Sequence, residues 1–240
     1  MTGGGEESAD VRVGLSNRGD TAVTAVSIEA ELFGQRQTRI LDDGIAPGQS
    51  RGVDFSFPLD AATPGSHAVA LRLEYRSAGP GGAEQTLLQP AYVLLALGEN
   101  APPAVKITAP EARIDSVGRW RIGLESSDGA AHSVRLRAVL GRNLRATPAE
   151  VLVEVPKSGR AEQELLLFRV DAPWNTAQGA LLVAATEGEP LTRSSVVTAV
   201  VRVGPDPARM PRLRGALLVA MILLFLAAAG FEFHRWRKAA

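Results

Sequence analysis

The sequence predicts an all-β protein of two tandem β-sandwiches, followed by a single C-terminal transmembrane α-helix. Three observations carry this. Apolar residues alternate in short runs broken by Gly, Pro and Asn turns. The pattern occurs twice, so that Val26 in one copy corresponds to Val134 in the other. One uncharged apolar stretch lies near the C-terminus.

Residues 1–9 have no apolar core and read as a flexible N-terminus without a visible signal peptide. The first sandwich is expected over residues 10–98. Val11, Val13 and Leu15 alternate, and Asn17-Arg18-Gly19-Asp20 turns the chain. Val26, Ile28, Ala30 and Leu32 alternate next and end at Gly34. Ile45-Ala46-Pro47-Gly48 makes another turn before Val53, Phe55 and Phe57. Pro64-Gly65 turns the chain into Val69, Leu71, Leu73 and Tyr75, and residues 91–97 form the last strand. A period of two puts alternate side chains on one face, as a half-buried strand requires. Several short strands at this spacing argue for a sandwich.

Residues 99–104 are the expected linker, stiffened by Pro102 and Pro103. The second sandwich is expected over residues 105–204. Trp120-Arg121-Ile122-Gly123-Leu124 lines up with Val11-Arg12-Val13-Gly14-Leu15. A turn near Ser127-Asp128-Gly129 follows, and Val134, Leu136, Ala138 and Leu140 match the first copy's second run. Residues 164–170 stand where 53–59 stood, 179–185 stand near 68–74, and 196–203 close the copy. A repeat of this length means tandem domains, because solenoid units are shorter.

Residues 205–214 form a juxtamembrane linker and 215–233 the expected transmembrane helix. Within it, residues 215–231 read GALLVAMILLFLAAAGF, without a charge. Such a helix covers about 25 Å, the short end of what crosses a bilayer core. It has no polar face for a soluble helix and no polar group for an ion path, so it reads as an anchor. The basic tail, residues 234–240, completes it. Arg214 can snorkel, and Phe233, Arg235, Trp236, Arg237 and Lys238 suit the interface and lipid phosphates. Arg209, Arg212 and Arg214 before the span balance Arg235, Arg237 and Lys238 after it, so the positive-inside rule favours neither orientation. Either a signal has been removed and the sandwiches lie outside the cytoplasm, or the chain is tail-anchored with them inside.

The 26 basic and 26 acidic residues give a formal net charge of zero, which excludes the positive field of a nucleic-acid binder. Cysteine is absent, which removes disulfides, thiol nucleophiles and thiolate metal sites.

The ordered series Asn17-Arg18-Gly19, Ile45-Ala46-Pro47-Gly48, Phe55/Phe57 and Pro64-Gly65 resembles the cell-adhesion-related immunoglobulin-like domains of bacteria and archaea. It is similar also to the alpha-galactosidase-associated module. The resemblance is clearest in the first copy. The second replaces the Ala-Pro-Gly turn with Pro156-Lys157-Ser158-Gly159 and the Pro-Gly turn with Asn175-Thr176, and is similar in fold only. The resemblance implies tandem immunoglobulin-like β-sandwiches. It also implies an extracytoplasmic location, periplasmic or cell surface, with a short cytoplasmic tail.

Candidate chemistry is sparse. Arg18-Gly19-Asp20 spells an integrin-binding tripeptide, but Gly and Asp there suit a hairpin turn. His67, His132 and His234 are far apart; the first two are expected at exposed strand ends and the third in the membrane flank. Asp42, Asp43 and Asp60 lack calcium-loop spacing and read as solvated loop acids. There is no phosphate loop, serine elbow or paired-carboxylate motif, so no catalytic, cofactor-binding or metal-ligating residue and no cofactor is expected. Trp120, Phe55, Phe57 and Phe168 are expected in the core. Trp174, after Pro173, is the candidate contact for a protein or glycan partner. A helix ending in a basic cluster resembles tails recognised by surface-sorting transpeptidases, although no recognition motif is evident in 204–214.

The expected function is a membrane-anchored, non-catalytic binding or scaffolding protein, an accessory subunit of a cell-envelope complex. Its partners would be the lipid bilayer and another envelope protein, not nucleic acid. The alternatives are a surface adhesin or carbohydrate-binding protein, disfavoured by 5% aromatic content, an accessory domain of a longer enzyme, and a tail-anchored cytoplasmic scaffold.

Overall fold

The computed structural model describes residues 8–59, 63–78, 82–99, 101–172, 176–205 and 221. The chain divides into Met1–Val203 and Gly204–Ala240; the strands belong to the first unit. In the first half they are β1 (Ser8–Ser16), β2 (Val23–Leu32), β3 (Gln35–Leu41), β4 (Ser50–Pro58), β5 (Gly65–Ala78) and β6 (Glu84–Leu97). In the second half they are β7 (Val105–Thr108), β8 (Ala112–Ile114), β9 (Val117–Ser126), β10 (His132–Val139), β11 (Leu144–Thr147), β12 (Glu150–Val155), β13 (Arg160–Arg169), β14 (Thr176–Thr186) and β15 (Thr192–Val203).

The period-two runs fold as strands with one face inward. Val11 and Val13 of β1 pair across from Phe55 and Val53 of β4, antiparallel. This layer packs on β3-β2-β5-β6. Ile28, Phe55, Phe57 and Val69 sit at the centre of their shared core. In the second half, β11-β13-β9-β7 packs on β12-β10-β14-β15, with β8 along β15. Trp120, Ile122, Leu136, Leu165, Leu167 and Leu182 fill that core. The repeat is visible in the pairing. β9 with β13 stands as β1 with β4, β10 with β12 as β2 with β3, and β14 with β15 as β5 with β6.

Several expectations are corrected. Asn17-Arg18-Gly19-Asp20 is not a hairpin, because β1 and β2 lie in opposite layers. It is an arch held by buried Asn17, whose Nδ2 donates to the carbonyls of Thr21 at 2.8 Å and Ile45 at 2.9 Å. The last strand of the first copy starts at Glu84, well before residue 91. β3 has no apolar alternation to betray it, since it is an edge strand. Its place is set by the β2–β3 turn, where Phe33 and Gly34 have φ of 52° and 74°, the positive pair a tight hairpin needs. Phe168 is half-buried, because Leu165 and Leu167 take the inward positions of β13. His67 and His132 are buried, not exposed.

The halves share an interface. Ala68 and Ala70 of β5 pack against Val139, Leu181 and Val183. Gly65 meets Thr192 in a short parallel bridge, and the Thr192 amide donates to the Pro64 carbonyl at 2.8 Å. Arg142 pairs with Glu74 at 3.4 Å, and Arg137 with Glu31.

Among the described residues no helix is long and apolar enough to cross a membrane. The expected span lies outside them except Met221, which is helical.

Candidate functional site

The two layers of the first sandwich are unequal. β1 and β4 make two strands, and they face four. Among the described residues, one side of the four-stranded sheet is left without cover, and a groove of about 600 Å³ opens there. Val13, Leu15, Ile28, Leu73, Tyr75 and Leu87 line it. Register explains why apolar side chains reach solvent. Val93 lies opposite Val69 and Leu87 opposite Tyr75, so both belong to the inward face of β6. Val69 is fully buried, yet Val93 is 37% and Leu87 41% exposed. Tyr92 and Leu94, opposite Ala70 and Ala68, are on the outer face and also exposed. Arg12 and Arg18 stand at the rim. Arg12 has a loose, exposed ion pair with Asp54 at 3.5 Å; among the described residues no carboxylate pairs with Arg18.

A second feature is an ionic cluster at the end of the second sandwich. His132 Nδ1 lies 2.6 Å from Glu189 and its Nε2 2.7 Å from Asp128. Arg193 bridges the same carboxylates, at 2.6 Å to Asp128 and 2.9 Å to Glu189. The Asp128 carboxyl is held well below its usual range, first by the Ala130 amide and then by His132 and Arg193. Burial pushes the Glu189 carboxyl up, but hydrogen bonds from His132 and Arg193 outweigh it, and its pKa is lowered. Both ring nitrogens of His132 are engaged, so the cluster works as a staple between the 126–132 and 186–193 turns.

A third feature is a charged cleft of about 700 Å³ where the halves meet. Arg72 pairs with Glu29 at 2.5 Å, Arg36 with Glu31 at 3.1 Å, and Arg135 with Glu150 at 2.6 Å. Hydrogen bonds that Arg135 donates to Glu150 and then to Glu187 raise its pKa. These charges pair among themselves, while Arg72 Nε is buried without a hydrogen-bond partner among the described residues.

Of the residues expected to act, Trp174, Arg214, Phe233, Arg235, Trp236, Arg237 and Lys238 lie outside the described residues, as do His234 and Asp60. Arg18, Gly19 and Asp20 are exposed, as are Asp42 and Asp43. Trp120 is buried, with its Nε1 donating to the Pro110 carbonyl at 2.8 Å. Among the described residues no group of three His, Asp or Glu side chains could hold a metal ion. The groove escaped sequence reading. Its one signal is the run Leu87-Leu88-Gln89-Pro90-Ala91-Tyr92-Val93-Leu94-Leu95, apolar on both faces, which marks a strand contacted from two sides.

No family model matches the chain, and no curated protein matches it. Solved structures give distant likenesses. Red sea bream transglutaminase is 14% identical, with 81% of this chain and 29% of that one covered and a TM-score of 0.27. A protein of unknown function from Porphyromonas gingivalis W83 is 12% identical, with 82% and 92% covered and a TM-score of 0.31. A glycosyl hydrolase family 2 member from Bacteroides cellulosilyticus DSM 14838 is 11% identical, with 80% and 29% covered and a TM-score of 0.27. The chain therefore spans less than a third of the two enzymes. At these values the likenesses carry no argument about activity, and the β-sandwich architecture rests on the chain's own sheets and cores.

Proposed function

We propose that the chain is a membrane-anchored, non-catalytic binding or scaffolding protein, an accessory subunit of a cell-envelope complex. The observation that carries the binding half is the first sandwich's open apolar groove, at which Leu87 and Val93 of the inward face of β6 are exposed. Contiguous exposed apolar side chains mark interaction surfaces. The tether is read from the uncharged stretch at 215–231. A tethered binder works at raised local concentration, so a weak contact suffices. In this reading the sandwiches are immunoglobulin-like, similar to bacterial adhesion-related modules, and extracytoplasmic. Trp174 is a further partner contact, and the basic-aromatic flank grips the lipid surface.

Sidedness tests the reading. The chain has no cysteine, so a single Asp43→Cys substitution gives a clean probe in an exposed loop. A membrane-impermeant thiol reagent is expected to label Asp43→Cys in intact cells. Labelling only after lysis would overturn the envelope placement and leave the tail-anchored cytoplasmic scaffold.

A further inference from the structure

β1 has a strand neighbour on one side only. It pairs with β4, and no described strand pairs with its other edge. Its counterpart β9 is flanked on both sides, by β13 and by β7. β7 is the short segment Val-Lys-Ile-Thr, antiparallel to β9, with Ile107 opposite Leu124 and Lys106 opposite Glu125. Val105 and Ile107 are buried in the core, while Lys106 faces solvent. β7 also covers β15, where Ser195 Oγ donates to the Val105 carbonyl at 2.5 Å.

Among the described residues, the first sandwich has the bed for such a strand without the strand. Leu15, the counterpart of fully buried Leu124, is only half-buried. Under the repeat, the pair Leu73 and Gln89 of β5 and β6 stands where Ala184 and Ser195 stand in β14 and β15. Ala184 and Ser195 are buried, Leu73 is half-buried and Gln89 is exposed. The open groove lies where a β7-like segment would cover these residues.

We propose that the groove takes an extended strand from a partner protein, antiparallel to β1, apolar at alternate positions and acidic at the outward ones. This deepens the binding-protein reading and rests on it. The open edge supplies main-chain hydrogen bonds and the groove supplies pockets for alternate side chains. Charge selects the outward residues. β9 offers Glu125 to the outward lysine of its neighbour. The corresponding stretch of β1 ends at Ser16, and the rim there carries Arg12 and Arg18, the latter without a carboxylate partner among the described residues.

The test uses the full chain in detergent micelles and two fluorescent peptides. One carries residues 101–110, APPAVKITAP; the other carries the same segment with Lys106→Glu. Saturable binding by fluorescence anisotropy is expected for both, about tenfold tighter for the glutamate peptide. Hydrogen exchange should slow in Ser8–Ser16. Arg18→Glu, an exposed change that should leave the thermal melt unaltered, should remove the glutamate preference. Several results would overturn the proposal. These are no saturable binding up to about 1 mM, equal binding when the peptide's Val and Ile become Ser, or protection confined elsewhere. So would a concentration-dependent dimer with β1 already protected, which would assign the groove to a second copy. Intact-cell labelling at Asp43→Cys is independent of these results, so failure here leaves the tethered-binder reading standing without its strand-addition mode.

Discussion

His132 is buried between two carboxylates and an arginine. Burial works against its charged form, but the hydrogen bonds it donates to Asp128 and Glu189 outweigh that, and its pKa is raised. A raised folded-state pKa adds stability that is complete below the unfolded value, about 6.5, and lost as pH rises through the folded value. The melting temperature should therefore fall as pH is raised from about 6 to about 9. His132→Gln should flatten that slope and cost about 1–2 kcal/mol at the acid end. A slope unchanged in His132→Gln would dismiss the staple. Asp128 and Glu189 titrate the other way. Their lowered values give stability present above the usual carboxylate range and lost in acid. None of this was legible in the sequence. Asp128 is four residues from His132, but Glu189 and Arg193 arrive only through the pairing of β10 with β14, which brings distant turns to one end of a sheet.

Elements were legible in proportion to the regularity of their burial. β1, β2 and β4 alternate because one face meets a core and the other meets water. Ala46-Pro47-Gly48-Gln49 was legible as a turn because Pro and a positive-φ Gly serve the backbone locally; Gly48 has φ of 72° and the Gln49 amide donates to Ala46 at 3.0 Å. Pro64-Gly65 reads the same way but does something else. Gly65 begins β5 with φ of 126°, and a Cβ there would lie 2.1 Å from the Thr192 carbonyl oxygen. Its reason is close approach between the halves. Gly65→Ala should destabilise by about 2–4 kcal/mol in urea unfolding, whereas Gly48→Ala, with open space around it, should cost about 1 kcal/mol. Equal costs would remove the close-approach account.

At the scale of the molecule, the halves have separate cores joined by a third apolar cluster. Leu181 is fully buried at that junction, facing Ala68 and Ala70 rather than its own sandwich core. Burying this surface couples the two halves, so residues 8–203 should unfold in one calorimetric transition. Leu181→Asp places an unpaired charge at the junction and should split the transition in two. Two transitions in the unchanged protein would show that the halves are thermodynamically independent.

The sequence by itself determined the strands with one wet and one dry face, the main turns, the two copies and the apolar C-terminal stretch. Each is a local or periodic property, written in neighbouring residues. Tertiary structure decided the rest: the burial of His67 and His132, the edge strand β3, the double-sided β6 and the groove beside β1. These depend on which strands pair and which layer covers which. β1 and β9 carry nearly the same pattern, yet among the described strands only β9 has a neighbour on each side. Whether an alternating strand lies mid-sheet or at an open edge depends on its neighbours in space, and its own residues do not encode it.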